Sequence, residues 1–199
     1  ADHFNQVIFD WKEETEDIKY IMSSDLKQAM RKNVYEKIVD QFNKLDGSDQ
    51  SNSYFLDPDE KVKMDSLTVE TYGSTDKGVS FLVKTEQLNI FHAGDLNWWH
   101  WKDNTEREQE MEERNYKKEV TKFKDEKIDI AFVPVDPRLE EYYYLAGEYF
   151  VKEVSPEILI PIHFSDNFDI TEKFSAKLED YPTEVVTINN RGQKIIYDE

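Results

Sequence analysis

Histidine closes two apolar runs of this chain, in one of them together with aspartate, and an Asp-His pair stands near its first residue. The runs are Ile90–Asn97 (Ile-Phe-His-Ala-Gly-Asp-Leu-Asn) and Ile160–Phe164 (Ile-Pro-Ile-His-Phe), and the pair is Asp2-His3. Neutral imidazole and carboxylate are the ligands that zinc and similar divalent ions accept. We therefore expect a metal site where strands deliver these side chains to the edge of a sheet.

Each of these residues also has a plain structural explanation. Gly94 permits a tight turn that aims Asp95 into a cleft, but Asp95 could equally be a turn residue that caps the next two positions. His163 follows Pro161, whose fixed φ favours a sharp exit from a strand, but a buried histidine often only hydrogen-bonds a backbone carbonyl. Three of the four histidines (His3, His92, His100 and His163) lie at strand ends or at the terminus, which favours the functional interpretation.

The apolar runs that must position these residues predict a layered α/β protein. Strand-helix-strand-helix-strand order after residue 128 is typical of such a sheet, and sites collect where its strands end. Strands are predicted over Val7–Trp11, Ile18–Met22, Ser66–Tyr72, Val79–Thr85, Leu88–His92, Ile128–Pro134, Ile158–Ile162, Glu184–Ile188 and Lys194–Tyr197. Helices are predicted from Ser24-Asp25 onward through Leu26, Met30 and Val34, and over Asn104–Lys124, Leu139–Val154 and Ile170–Leu178. We expect one domain over residues 1–199.

Composition restricts the classes of partner. The chain has 25 Lys and Arg against 43 Asp and Glu, so its formal net charge is −18. This charge repels phosphate backbones and anionic membranes, so we expect a small-molecule substrate and neither nucleic acid nor membrane as a partner. The absence of cysteine excludes thiolate ligands and disulfides and favours a cytoplasmic location.

Asp2-His3, Phe91–Asp95 and Pro161–Phe164 together resemble motifs of the metallo-β-lactamase superfamily, and most of all its bacterial lactonase-like metal-dependent hydrolases. Gly73–Phe81 and Val135–Arg138 also resemble segments of that branch. The resemblance implies an αββα sandwich. The family's motif is His-x-His-x-Asp-His, and only its Asp-His half is present. The resemblance therefore also implies a fold that is incomplete on its N-terminal side.

By the same resemblance, Asp2, His3 and His163 are ligands of one metal ion, and Asp95 bridges two ions and holds the attacking water. His92 is a further candidate ligand. The family has another histidine near Gly73–Gly78, where this chain has Ser74, Thr75 and Asp76. The cofactor implied is Zn²⁺, or Mn²⁺ or Fe²⁺, with one or two ions in the full-length protein. The alternative is that this chain binds no ion.

The function that follows is hydrolysis of a lactone, ester or phosphoester by a metal-activated water. Arg138 is expected to bind an anionic group of the substrate, or else to form a surface salt bridge. The aromatic residues after Asp95 either wall the pocket or belong to the core: Trp98, Trp99, His100 and Trp101. One alternative function is a catalytically incompetent scaffold that self-associates as a homodimer or strand-exchanged oligomer. Another is an acidic interaction module without metal.

Overall fold

The computed structural model describes residues 5–15, 18–29 and 53–197. The chain divides into two compact units, residues 1–57 and residues 58–199, which we call the N-terminal unit and the sheet unit. A single domain over the whole chain and its self-association stay predictions.

The N-terminal unit contains a small parallel ribbon. Strand β1 (Tyr20–Ser23) pairs with β2 (Ser53–Leu56), and the short helix α1 covers Leu26–Ala29. Residues Gln6–Glu13 form a 3-10 helix, whereas the sequence predicted a strand over Val7–Trp11. The Asn5 side chain explains the difference, because it accepts a hydrogen bond from the Val7 amide at 3.1 Å and caps a helical turn. Met30 and Val34, predicted to continue α1, lie outside the described residues.

The sheet unit is built on seven strands that lie side by side in chain order. They are β3 (Lys61–Met64), β4 (Leu67–Tyr72), β5 (Ser80–Lys84), β6 (Asn89–His92), β7 (Ile130–Pro134), β8 (Ile158–Ile162) and β9 (Glu184–Val185). Pairing is antiparallel from β3 to β6 and parallel from β6 to β9. The predicted α/β class is therefore confirmed.

Helices connect the parallel strands: α2 (Glu106–Thr121), α3 (Leu145–Val154) and α4 (Asp169–Lys177). Parallel crossovers share one hand, so three crossovers in the same direction leave all three helices on one face of the sheet. A capping box between Thr105 and Glu108 begins α2, as its sequence requires. Gly147 lets α3 approach α4, because a β-carbon there would lie 2.3 Å from the ring of Phe174.

The core lies between this helical layer and the sheet. Its centre is Phe91 of β6, whose ring centroid lies 4.6 Å from that of Phe123 and 5.2 Å from that of Phe150. All three side chains are fully buried. Burial of each such ring contributes about 1.5–3 kcal/mol, so the core fixes the strand from which the Asp95 loop emerges.

In the sheet unit, three predicted elements differ from the structure. The predicted helix over Leu139–Val154 is a 3-10 helix (Pro137–Tyr142) followed by α3, because Glu140 has a non-helical backbone with φ 51° and ψ −121°. The predicted strand over Glu184–Ile188 is shorter, and Lys194–Tyr197 is not a strand. In the described part of the chain, every helix is too short or too polar to cross a membrane.

Candidate metal centre

Three neighbouring parallel strands deliver polar side chains to one edge of the sheet. Asp95 follows β6, Asp136 follows β7 and His163 follows β8 directly. The carboxyl ends of adjacent parallel strands meet at a common edge, which is where open α/β sheets carry their sites. Two of these residues, Asp95 and His163, are predicted metal ligands, and Asp136 is a residue that sequence reasoning missed.

A tight turn carries Asp95 away from β6. The Ala93 amide still donates to the Phe132 carbonyl of β7 at 2.9 Å, and the Leu96 amide donates back to Ala93 at 3.0 Å. Between them Gly94 has φ +57°, and a β-carbon there would lie 3.0 Å from the Val79 carbonyl oxygen. Glycine at this position therefore allows both the turn and its close approach to the start of β5.

His163 lies between the two carboxylates. Its Nε2 is 3.4 Å from Oδ1 of Asp95, and its Nδ1 is 3.1 Å from Oδ2 of Asp136. The His163 backbone has φ +67°, a left-handed conformation that only surrounding contacts can maintain in a residue with a β-carbon. The predicted convergence of Asp95 and His163 is thus present in the geometry.

Asp136 is the most buried member of the group, with 1% of its side chain exposed. It caps the 3-10 helix by accepting the Arg138 amide at 2.9 Å, and it accepts the Arg138 guanidinium through both carboxylate oxygens. Burial opposes its ionisation, but the hydrogen bonds from His163 and Arg138 outweigh burial and hold the pKa of Asp136 well below its usual range.

The two carboxylates favour the imidazolium form of His163. Its hydrogen bond to Asp136, and next its bond to Asp95, raise the pKa of His163 to about 9 although burial acts in the opposite direction. A histidine that ligates a metal through Nε2 must be unprotonated at that nitrogen. Ion binding at Nε2 would therefore release one proton near neutral pH while Nδ1–H still donates to Asp136.

Aromatic side chains flank His163. The ring of Trp99 stands edge-on to that of His163 at 5.7 Å, and it lies parallel to the ring of Trp101 at 5.8 Å. The Arg138 guanidinium carbon lies 6.0 Å from the Trp99 ring and 5.6 Å from the Trp101 ring. Arg138 is thus fixed by Asp136 and by two aromatic faces, while 60% of its side chain remains exposed.

The other predicted residues lie in different settings. His92 is exposed, accepts the Gly94 amide at its Nδ1 (3.0 Å) and stacks on Phe132. Trp98 is buried in the core against Tyr116, and His100 packs on Tyr142 at 4.3 Å. Asp2 and His3 lie outside the described residues. The ligand roles of His92, Asp2 and His3 stay predictions.

Within residues 5–15, 18–29 and 53–197, no three histidine or acidic side chains are grouped so that they could hold a metal ion. Asp95 and His163 form a pair, and Asp136 lies on the other nitrogen of His163. A sequence signal for Asp136 did exist, since Asp-Pro-x directly after an apolar strand marks a helix start with an aspartate cap.

No family model and no curated protein matches the chain. Similar solved structures include members of the metallo-β-lactamase superfamily. One is described as a Zn-dependent hydrolase of that superfamily from Thermotoga maritima (13% identity, TM-score 0.41, 63% of this chain and 60% of that protein). Another is the metallo-β-lactamase fold protein YhfI from Bacillus subtilis (12%, 0.43, 73% and 56%). A further similar structure is that of CmlA, described as a diiron β-hydroxylase from Streptomyces venezuelae (10%, 0.39, 69% and 28%).

The chain spans less than two thirds of each of these three proteins.

Proposed function

We propose that this protein is a metal-dependent hydrolase whose centre includes Asp95 and His163. The observation that carries the proposal is the 3.4 Å separation of Asp95 Oδ1 and His163 Nε2 at the carboxyl edge of the sheet. Zinc bonds of about 2.0–2.1 Å at a tetrahedral angle separate two ligand atoms by about 3.4 Å. The donor types and their spacing thus fit a divalent ion.

Asp136 has a supporting role in this proposal. A carboxylate on the second nitrogen of a ligand histidine fixes the ring and its tautomer, and it raises the basicity of the ligating nitrogen. Asp136 meets this requirement at 3.1 Å and is itself fixed by Arg138. Asp2 and His3 stay predicted ligands, and Zn²⁺, Mn²⁺ and Fe²⁺ all accept imidazole and carboxylate donors.

The ion would supply a water whose pKa falls toward neutrality, and hence a hydroxide nucleophile. Asp95 would hold and orient that water, since a carboxylate oxygen accepts a hydrogen bond from a water O–H. Arg138 would bind an anionic group of a small-molecule substrate, because its planar fork suits carboxylate and phosphate oxygens. Trp99 and Trp101 would limit solvent access on that side. The substrate classes proposed are lactones, esters and phosphoesters, and the proposed location is the cytoplasm.

Measurement of the metal content tests the proposal directly. After reconstitution with Zn²⁺ and removal of excess ion, the wild-type chain is expected to retain zinc, whereas Asp95→Ala and His163→Ala are expected to lose it. Asp166→Ala is the matched control, because Asp166 is 66% exposed and pairs with the exposed Arg191. Its zinc content should equal that of the wild type.

Two results would count against the proposal. A wild-type chain that holds neither zinc, manganese nor iron after reconstitution would reject a metal centre. Unchanged zinc in both Asp95→Ala and His163→Ala would place the ion elsewhere. His92→Ala in the same series decides whether His92 is a ligand, and hydrolysis of lactone, aryl ester and aryl phosphoester panels by the zinc-loaded chain then ranks the substrate classes.

A further inference from the structure

The Asp95 loop lies against a second loop, which connects β4 to β5. Residues 93–97 belong to no helix or strand, so contacts with their surroundings must set the position of Asp95. The β4–β5 loop supplies such contacts from a point 20 residues earlier in the chain. One side chain of this loop, Thr75, makes three such contacts through its hydroxyl.

The Thr75 hydroxyl bonds to the backbone on both sides of Leu96. It accepts the Asn97 amide at 2.9 Å and donates to the Asn97 carbonyl at 2.6 Å. The Asp95 carbonyl oxygen lies 3.3 Å from the same hydroxyl. One hydroxyl has one hydrogen and two lone pairs, so these contacts use most of its bonding capacity on a single loop.

The loop that carries Thr75 is itself anchored to the rest of the sheet unit. The Gly73 amide donates to Glu119 of α2 at 3.0 Å. A β-carbon at Gly73 would lie 2.7 Å from the Glu119 carboxylate, so a larger residue there would have to displace that side chain. The hydroxyl of Ser80, which is fully buried, lies 3.4 Å from the Gly73 carbonyl. Thr75 therefore ties the Asp95 loop to a fixed point.

We propose that Thr75 is a positioning residue of the metal centre, whose hydroxyl holds the Asp95 loop so that the Asp95 carboxylate meets His163. The proposal rests on the proposed function for its chemical purpose. Thr75 touches neither ion nor substrate in this scheme. It acts through the backbone of residues 95–97.

The test uses three variants of the 199-residue chain. Thr75→Val keeps the shape of the side chain and removes the hydroxyl, and Thr75→Ser restores a hydroxyl. Thr85→Val is the matched control, because Thr85 also makes hydroxyl bonds to its local backbone, in the β5–β6 turn: it donates to the Leu88 carbonyl at 2.9 Å and accepts the Leu88 amide at 2.8 Å. Loss of these bonds should lower stability without reaching the Asp95 loop.

Zinc affinity, measured by competition with a chelator, is the first readout. Changes to groups that support metal ligands typically weaken binding about 10–100-fold, and that is the loss expected for Thr75→Val. Thr75→Ser should stay close to the wild type, and Thr85→Val should leave affinity unchanged. Wild-type affinity in Thr75→Val would overturn the proposal, as would a loss in Thr75→Ser equal to that in Thr75→Val.

Hydrogen exchange of the Asn97 amide in metal-free protein is the second readout. This amide donates to Thr75, so it should be protected in the wild type and in Thr75→Ser, and should exchange faster in Thr75→Val. Equal exchange rates in all three would overturn the proposal. If the wild type binds no zinc, the proposed function fails on its own account, and exchange alone decides whether Thr75 holds this loop.

Discussion

At the scale of single residues, the proposed metal centre includes one buried carboxylate that faces two cationic groups. Asp136 accepts hydrogen bonds from His163 and Arg138, and 1% of its side chain is exposed. A buried charge with two charged donors is stabilised well beyond a neutral hydrogen-bonded group. Its removal should therefore affect both the fold and the affinity for a metal.

We expect Asp136→Asn to lower the free energy of unfolding by about 1–3 kcal/mol, because the amide keeps the shape but one of its two polar ends becomes a donor that faces donors. Zinc affinity should fall about 10–100-fold, since His163 loses the carboxylate that raises the basicity of its ligating nitrogen. Chemical denaturation of metal-free protein and chelator competition measure the two effects.

Asp166→Asn is the control for Asp136→Asn. Its partner Arg191 is 81% exposed, and exposed ion pairs contribute at most about 1 kcal/mol. Wild-type zinc affinity in Asp136→Asn would show that His163 needs no carboxylate on its second nitrogen. An equal loss of stability in both variants would show that the burial of Asp136 does not increase its contribution to the free energy of unfolding.

At the scale of elements, the parallel strands bring the groups together and the turns after them set their direction. In the turn after β6, Gly94 has φ +57°, and a β-carbon there would lie 3.0 Å from the Val79 carbonyl oxygen. Alanine there would have to adopt a left-handed backbone and also displace the start of β5.

Gly94→Ala should lower the free energy of unfolding by more than the cost of about 1–2 kcal/mol of a left-handed alanine, and it should weaken zinc binding because Asp95 shifts. Gly192→Ala separates strain from crowding, because Gly192 has φ +74° with no atom within 4 Å of a β-carbon. Gly192→Ala should lower the free energy of unfolding only by the cost of the left-handed backbone, and it should leave zinc affinity unchanged. Equal effects of the two variants in denaturation would show that contact with Val79 is unimportant.

At the scale of the whole molecule, the net charge of −18 opposes compactness. Like charges repel within the folded chain, and salt screens this repulsion. An increase in ionic strength from about 0.01 M to about 0.1 M shortens the Debye length from about 30 Å to about 10 Å. Stability should therefore rise with salt, although individual ion pairs such as Lys84–Glu126 become weaker.

Urea denaturation across this range of sodium chloride measures the effect. The double variant Glu179→Gln/Asp180→Asn neutralises two exposed acids and brings the net charge from −18 to −16. Its stability should respond less to salt. A stability that falls as salt increases would show that attractive ion pairs outweigh the general repulsion.

Several features of the protein could be read from the sequence because they depend on local patterns. Apolar runs bounded by turn residues predicted most of the sheet-unit strands, and strand-helix alternation predicted the α/β class. The places of Asp95 and His163 at strand ends are also local. Parallel strands share an edge, so these two residues were expected to meet, and their atoms lie 3.4 Å apart.

What only the tertiary structure decided is how residues distant in sequence fit together. Asp136 resembles a simple helix cap until His163, 27 residues later, is placed against it. In the sequence Thr75 resembles an ordinary loop residue, and only the structure shows that its hydroxyl accepts a hydrogen bond from the Asn97 amide. A hydrogen bond is sensitive to shifts of a few tenths of an ångström in the donor–acceptor distance and to the direction of the donor. Packing between elements sets both. The sequence determined which donors reach the edge of the sheet, and folding decided which of them support one another.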